Sequence, residues 1–120
     1  MSVIIPAYNA APFLAEAIES ALAEATAGVE ILVVDDGSTD ETPAIAARYA
    51  PRVGTVRIGG GGPGRARNAG LAQTRAPLVA FLDADDRWLP GSLARRRRAL
   101  EAAPEAALVH GLARYVDGAG

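Results

Sequence analysis

Three carboxylates fall within four residues, at Asp83, Asp85 and Asp86, directly after the apolar run at residues 78–82. Like charges this close repel and raise one another's pKa, so such a cluster is either fully solvated or shared with a cation or a polar ligand. In extended backbone, residues two apart point the same way, so Asp83 and Asp85 present their oxygens together. Two hard oxygen donors suit Mg²⁺ or Mn²⁺, which complete their coordination shells with water and phosphate oxygens. An isolated Asp-x-Asp also fits an acidic loop with a helix cap in it, so the rest of the chain has to decide.

Other chemistry-bearing residues sit in the same kind of place. Tyr8 and Asn9 follow the apolar run at 2–5, and Asp35 and Asp36 follow the run at 29–34. Four glycines at 59–62 and Pro63-Gly64 follow the weaker run at 53–58 and lead to Arg65, Arg67 and Asn68. Each run reads as a strand, the first ended by Pro6, which cannot donate to a ladder, and the third nearer a sheet edge. The run at 78–82 reads as a strand buried on both faces. Between the strands lie helices. One carries an apolar stripe at 13, 14, 17, 18, 21, 22 and 25 and is ended by Gly28; a second starts with Asp40 as cap and Pro43 in its first turn. A third carries Arg65, Arg67 and Asn68 in its first turn, and a fourth, capped by Asp86, runs from after Trp88-Leu89-Pro90 to about Ala102. A last strand is expected at 106–109, with His110 at its end as a structural residue and Trp88 as packing at the edge of the site.

Alternating strands and helices imply a three-layer α/β/α sandwich with a mainly parallel sheet. In such an open sheet, ligands bind outside the carboxyl ends of the strands, where every unusual residue of this chain falls. An aromatic face, amide acceptors, a guanidinium, backbone N–H groups at a helix start and a metal-binding carboxylate pair together describe a nucleotide diphosphate site.

Composition narrows the class. At 120 residues the chain is one domain, and half of its residues are hydrophobic. A net charge of -2 argues against a general nucleic-acid binder. No apolar run approaches the roughly 18 residues of a membrane span, and no signal-peptide pattern precedes the first strand. A cytoplasmic location is therefore expected, or one at the inner face of a membrane as part of something larger. With no Cys there is neither a thiolate nucleophile nor a cysteine metal site, and with no Lys neither a Schiff base nor the lysine of a P-loop. Residues 95–98 are four consecutive arginines that span a helical turn, so they cannot all face one ligand.

Four segments carry a resemblance: Ser2-Val-Ile-Ile-Pro-Ala-Tyr-Asn9, Ile31-Leu-Val-Val-Asp-Asp-Gly-Ser-Thr-Asp40, Gly64-Arg-Ala-Arg-Asn-Ala-Gly70 and Phe81-Leu-Asp-Ala-Asp-Asp86. In order and spacing they resemble the successive motifs of the family 2 glycosyltransferases of the GT-A fold. The resemblance implies an enzyme that binds a nucleotide-diphospho-sugar donor, most simply a UDP-sugar, through Mg²⁺ or Mn²⁺ and transfers the sugar with inversion to an acceptor hydroxyl on a glycan, lipid or small molecule. It implies that Pro6, Ala7, Tyr8 and Asn9 bind the nucleotide, with the backbone around Pro6 and the ring of Tyr8 packing on the base, and that Asp36 accepts from the base's ring N–H, while Asp35 caps the turn. Arg67 would reach the base or the diphosphate, Asp83 and Ala84 the ribose, and Asp85 with Asp83 the metal. The catalytic base is expected beyond residue 120, because Glu101, Glu105 and Asp117 are unconvincing candidates; the chain then reads as the donor-binding half of a longer enzyme. Two rivals remain. Gly59, Gly61 and Gly64 satisfy G-x-G-x-x-G with Asp83 about twenty residues on, as an NAD(P)-binding domain would require. A non-catalytic nucleotide-binding module of the same topology is the other.

Overall fold

The computed structural model describes residues 1–116. The chain divides into two units, Met1–Pro90 and a second that begins at Gly91. The first unit holds β1 (Ser2–Ala7), α1 (Leu14–Glu24), β2 (Glu30–Asp35), α2 (Thr42–Ala47), β3 (Gly54–Arg57), α3 (Pro63–Gln73) and β4 (Val79–Phe81). Its four strands are all parallel and lie in the order β3-β2-β1-β4. The third strand lies at an edge, as its weaker pattern implies.

Alternation along β1 and β2 builds two cores. Ile4 and Val34 pack with Ala66 of α3, joined by Leu32, Ile58, Ala69 and Val79. Val3, Ile5 and Val33 alternate to the opposite face, where α1 supplies Leu14, Ala17, Ile18 and Ala21 from its apolar stripe, all fully buried. Helices α1 and α2 pack on each other and on β1 and β2, while α3 covers the same strands from the other side. The result is the expected α/β/α sandwich. Gly70 sets how closely α3 approaches the sheet, since a Cβ built there would lie 2.6 Å from Ile4 Cγ2. Gly70→Ala is therefore expected to destabilise the fold by roughly 1–3 kcal/mol through overpacking, read as a lower urea midpoint at unchanged slope.

Several expectations need correcting. Pro6 does not end β1, which continues to Ala7 with Pro6 opposite Val34. Odd-numbered residues of β1 face β2, as Ala7 O accepting from Asp36 N–H shows, and even-numbered ones face β4, as Ile4 O accepting from Leu82 N–H shows. The donor that Pro6 lacks is thus on the β4 side, beyond the last pair Ile4↔Phe81, where no ladder bond is lost. The fourth strand is three residues long, pairs with β1 alone among the described residues and leaves Phe81 40% exposed, so within them it is not buried on both faces. Asp40 lies one residue outside the cap position of α2, which Glu41 occupies; its Oδ1 nevertheless accepts the Thr42 N–H at 2.9 Å.

In the second unit, α4 (Ser92–Ala102) starts after Gly91, whose φ of +80° suits glycine. Asp86 therefore does not cap this helix. Along α4, Arg97 pairs with Glu101 one turn later at 3.0 Å. Residues 106–109 form no strand: a strand exists by pairing, and no residue beyond Phe81 has a ladder partner among the described residues. His110 is accordingly exposed in irregular chain and ends no strand. Asp117 lies outside the described residues. Among those residues, no helix is long and apolar enough to cross a membrane.

Candidate functional site

From β1 the chain steps outward to β2 and β3, then returns past β1 to form β4. Strand order reverses between β1 and β4, the connections on either side of that point run over opposite faces of the sheet, and a crevice opens at the strands' carboxyl ends. A cleft of about 390 Å³ lies there. Pro6, Ala7, Tyr8 and Asn9 line it from the end of β1, Asp36 from the end of β2, Arg67 from the start of α3, and Asp83, Ala84 and Asp85 from the turn after β4. These are the nine positions that the sequence put forward for nucleotide or metal. A groove of about 500 Å³ beside Ser2, Glu30 and Gly54 opens at the other ends of the strands, where ligands of open α/β sheets do not bind.

The loop after β1 is held from below by the turn after β2. Three consecutive backbone N–H groups, of Asn9, Ala10 and Ala11, donate to Ser38 Oγ at 2.9 Å, Thr42 Oγ1 at 2.9 Å and Asp40 Oδ2 at 3.2 Å. Asn9 returns the contact by accepting from Thr39 N–H at 2.9 Å, and it takes a φ of +45°, which Asn tolerates better than most residues. Hydrogen bonds from Thr42, with further ones from the backbone, hold the Asp40 carboxyl below its usual range. The folded state thus favours the ionised form, and the contribution is present above the ordinary carboxylate range and lost as pH falls through the lowered value. In sequence these residues look only like helix-start signals, so their role in fixing the loop was not legible.

The two aspartates after β2 divide their work. Asp35 Oδ1 accepts from Ser38 N–H at 3.3 Å, the turn cap expected of it. Arg57 Nη1 lies 3.0 Å from Asp35 Oδ2, close enough for an ion pair though not aligned as a hydrogen bond. Asp36 is 5% exposed; its Oδ2 accepts from Gly62 N–H at 2.9 Å, while Oδ1 is buried without a partner among the described residues. A buried carboxylate oxygen with no donor is costly, and a ligand N–H reaching it would remove that cost.

Across the cleft, Arg67 Nη2 donates to Asp83 Oδ1 at 2.8 Å, with both side chains partly exposed. Asp85 is exposed and has no hydrogen bond or ion pair with the described residues. Asp86 N–H donates to Asp83 O in the turn, and burial, followed by the charges of Asp85 and Asp83, raises the Asp86 carboxyl above its ordinary value. Among the described residues no group of three or more His, Asp or Glu side chains gathers to hold a metal. The carboxylates that line the cleft are those of Asp36, Asp83 and Asp85, and the last two, two residues apart, could serve an ion that takes its remaining ligands from phosphate and water.

Ala10, Phe13, Gly62, Pro63 and Ala66 also line the cleft, and the large side chain among them is Phe13. Phe13, read from sequence as the first member of the α1 stripe, occupies the cap position of that helix and is 52% exposed on the cleft. The available signal was its place, since helix caps favour Ser, Thr, Asp and Asn. Trp88 is buried packing and not part of the cleft wall; its backbone N–H donates to Ser20 Oγ at 3.0 Å. The dinucleotide reading loses its geometry. That fingerprint belongs to the first βα turn of the fold, whereas here the glycines follow the edge strand β3, and the positive φ values fall at Gly60, Gly61 and Gly62, with none at Gly59 or Gly64.

Comparison with known proteins shows the family. The family model for glycosyl transferase family 2 matches residues 2–119. The chain belongs to that family. Among curated members, the succinoglycan biosynthesis protein ExoO of Rhizobium meliloti is 44% identical over 102 residues, covering 83% of this chain and 29% of ExoO. Among solved structures, the 1–349 segment of Staphylococcus aureus TarS in complex with UDP-GlcNAc superposes with a TM-score of 0.76 at 30% identity, over 86% of this chain and 31% of that one. The mannosyltransferase PcManGT of Pyrobaculum calidifontis, in complex with GDP-Man and Mn²⁺, gives 0.74 at 29% identity, over 82% and 31%. The fold of this family 2 chain is thus that of the GT-A glycosyltransferases, and the chain spans less than a third of the length of these relatives.

Proposed function

We propose that this chain is the donor-binding part of a glycosyltransferase, holding a nucleotide-diphospho-sugar, in the first instance a UDP-sugar, for transfer to an acceptor hydroxyl. The observation that carries the proposal is the cleft itself, which joins an unpartnered buried oxygen of Asp36 to the Asp83-x-Asp85 carboxylates across the switch point of the sheet. In this reading Pro6, Ala7 and Tyr8 pack on the base, and Asn9 holds the loop in place. Asp36 Oδ1 accepts from a base N–H, Arg67 turns from Asp83 toward the diphosphate, and the Asp83-Ala84 segment meets the ribose. The start of α3 faces the cleft with Gly62 and Pro63, and the positive end of a helix dipole favours a diphosphate.

Asp85 and Asp83 would hold Mg²⁺ or Mn²⁺, which when bound neutralises charge on the departing nucleoside diphosphate. The fit rests on geometry: Asp83 and Asp85 line the same cleft, and Asp85 has no competing partner among the described residues. The PcManGT complex contains Mn²⁺ with its nucleotide sugar, in keeping with this reading. Transfer with inversion forms a bond from the acceptor oxygen to the anomeric carbon while the bond to the diphosphate breaks; the electron pair leaves with the diphosphate, and the hydroxyl proton goes to a carboxylate base. We place that base and the acceptor site in sequence beyond this chain. Glu101 is already paired with Arg97, and the relatives are more than three times the length matched here.

The test is the melting temperature of the protein with UDP or GDP, each with and without Mn²⁺. A nucleotide at about 100 times its Kd should add about 2.7 kcal/mol to stability, a rise of several degrees, only when the cation is present. Equal stabilisation by NAD⁺ without metal would overturn the reading.

A further inference from the structure

Two aromatic side chains of the first unit are exposed on the cleft, Tyr8 at 62% and Phe13 at 52%, and both hang from the single connection between β1 and α1. The Phe13 carbonyl accepts from Ala17 N–H as that of a cap residue should, but its side chain does none of the capping that the position asks for. It offers no side-chain hydrogen bond to cap α1, and the stripe that buries this helix begins at Leu14. Its backbone, by contrast, is well held: Phe13 N–H donates to Ala10 O at 2.9 Å, and Ala10 is itself fixed by Thr42. A large apolar ring kept half in water on a fixed backbone is what a site for a flat apolar ligand surface requires. The largest flat surface on a nucleotide-diphospho-sugar is the base, and Phe13 shares its cleft with Tyr8 and Asp36, the residues read as meeting the base.

We propose that Phe13 is a second aromatic wall of the base subsite, contributing affinity for the nucleoside end of the donor together with Tyr8 and Asp36. The proposal rests on the glycosyltransferase reading but adds to it a residue and the part of the ligand it meets. Phe13 would act on uridine and UDP alike and be indifferent to the sugar.

The experiment is calorimetric titration of UDP, UDP-glucose and inorganic pyrophosphate, each with Mn²⁺, into the wild-type protein and the Phe13→Ala, Phe13→Leu and Phe13→Tyr variants. Phe13→Ala and Phe13→Leu are expected to weaken UDP and UDP-glucose equally, by about 5- to 150-fold, the range that loss of one base–aromatic stack produces. Phe13→Tyr should keep most of the affinity, and pyrophosphate should bind all four proteins alike. Melting temperatures of the ligand-free variants should match the wild type, which a structural role for the ring would not allow. Undiminished UDP affinity in Phe13→Leu, or a loss confined to UDP-glucose, overturns the proposal while leaving the glycosyltransferase reading in place. Failure of the wild type to bind UDP or GDP with Mn²⁺ would count against that reading itself.

Discussion

Asp85→Ala is expected to abolish the Mn²⁺-dependent part of UDP binding, with a loss of at least about 100-fold, since even partners behind a metal's direct ligands cost about 10- to 100-fold when removed. The fold should be intact or slightly more stable, because the substitution removes a charge from a cluster that repels itself. The same relief has a second readout. The Asp86 carboxyl is raised by burial and then by Asp85 and Asp83. The native state therefore binds more protons than the unfolded one, and stability falls as pH rises from the ordinary carboxylate range through the raised value. In Asp85→Ala this fall should become smaller, because the first of the two neighbouring charges is gone. Loss of folding in Asp85→Ala, measured by circular dichroism, would mean that the carboxylate is structural and would remove the metal from the account.

Asp36→Ala is the second large effect. A hydrogen bond to a charged acceptor is worth about 1.5–3 kcal/mol, so losing it should weaken UDP binding by about 10- to 150-fold and narrow the difference between UDP and GDP. Asp36→Asn keeps the shape of the side chain and an acceptor for Gly62 N–H, but it then turns its NH2 toward the base N–H, donor against donor, so it should lose at least as much. Affinities for the two nucleotides, measured in parallel, separate base recognition from general damage: a uniform loss with an unchanged UDP to GDP ratio would assign Asp36 to holding the Gly62 turn and not to the base.

The cleft was legible because its residues announce themselves twice, by type and by place. Asp36, Asp83 and Asp85 are charges at the ends of apolar runs, and an alternating βα chain puts all such ends on one rim of the sheet. What was illegible depended on which neighbour a backbone group faces. Pro6 looks like a stop until the register shows that its missing donor is on the side where β4 has already ended. The run at 78–82 looks buried on both sides because periodicity reports apolarity and not the number of adjacent strands. Residues 106–109 carry strand-like side chains without a ladder to join. Thr42 and Ser38 read as helix starters, and only the folded chain shows them holding the N–H groups of Ala10 and Asn9. Phe13 was absorbed into the apolar stripe of α1, whose period it obeys and whose core it does not enter.

The central claim is that a nucleoside diphosphate and a divalent cation share the rim between β1 and β4. The most direct measurement is the change in backbone amide resonances when UDP and Mg²⁺ are added together to isotopically labelled protein. The expected result is a set of shifts confined to the loop at residues 7–13, to Asp36, to Gly62 and the first turn of α3, and to residues 83–86, with little change on adding UDP alone. Shifts centred instead on the groove beside Glu30, Gly54 and Thr74, or an identical response with and without Mg²⁺, would contradict it.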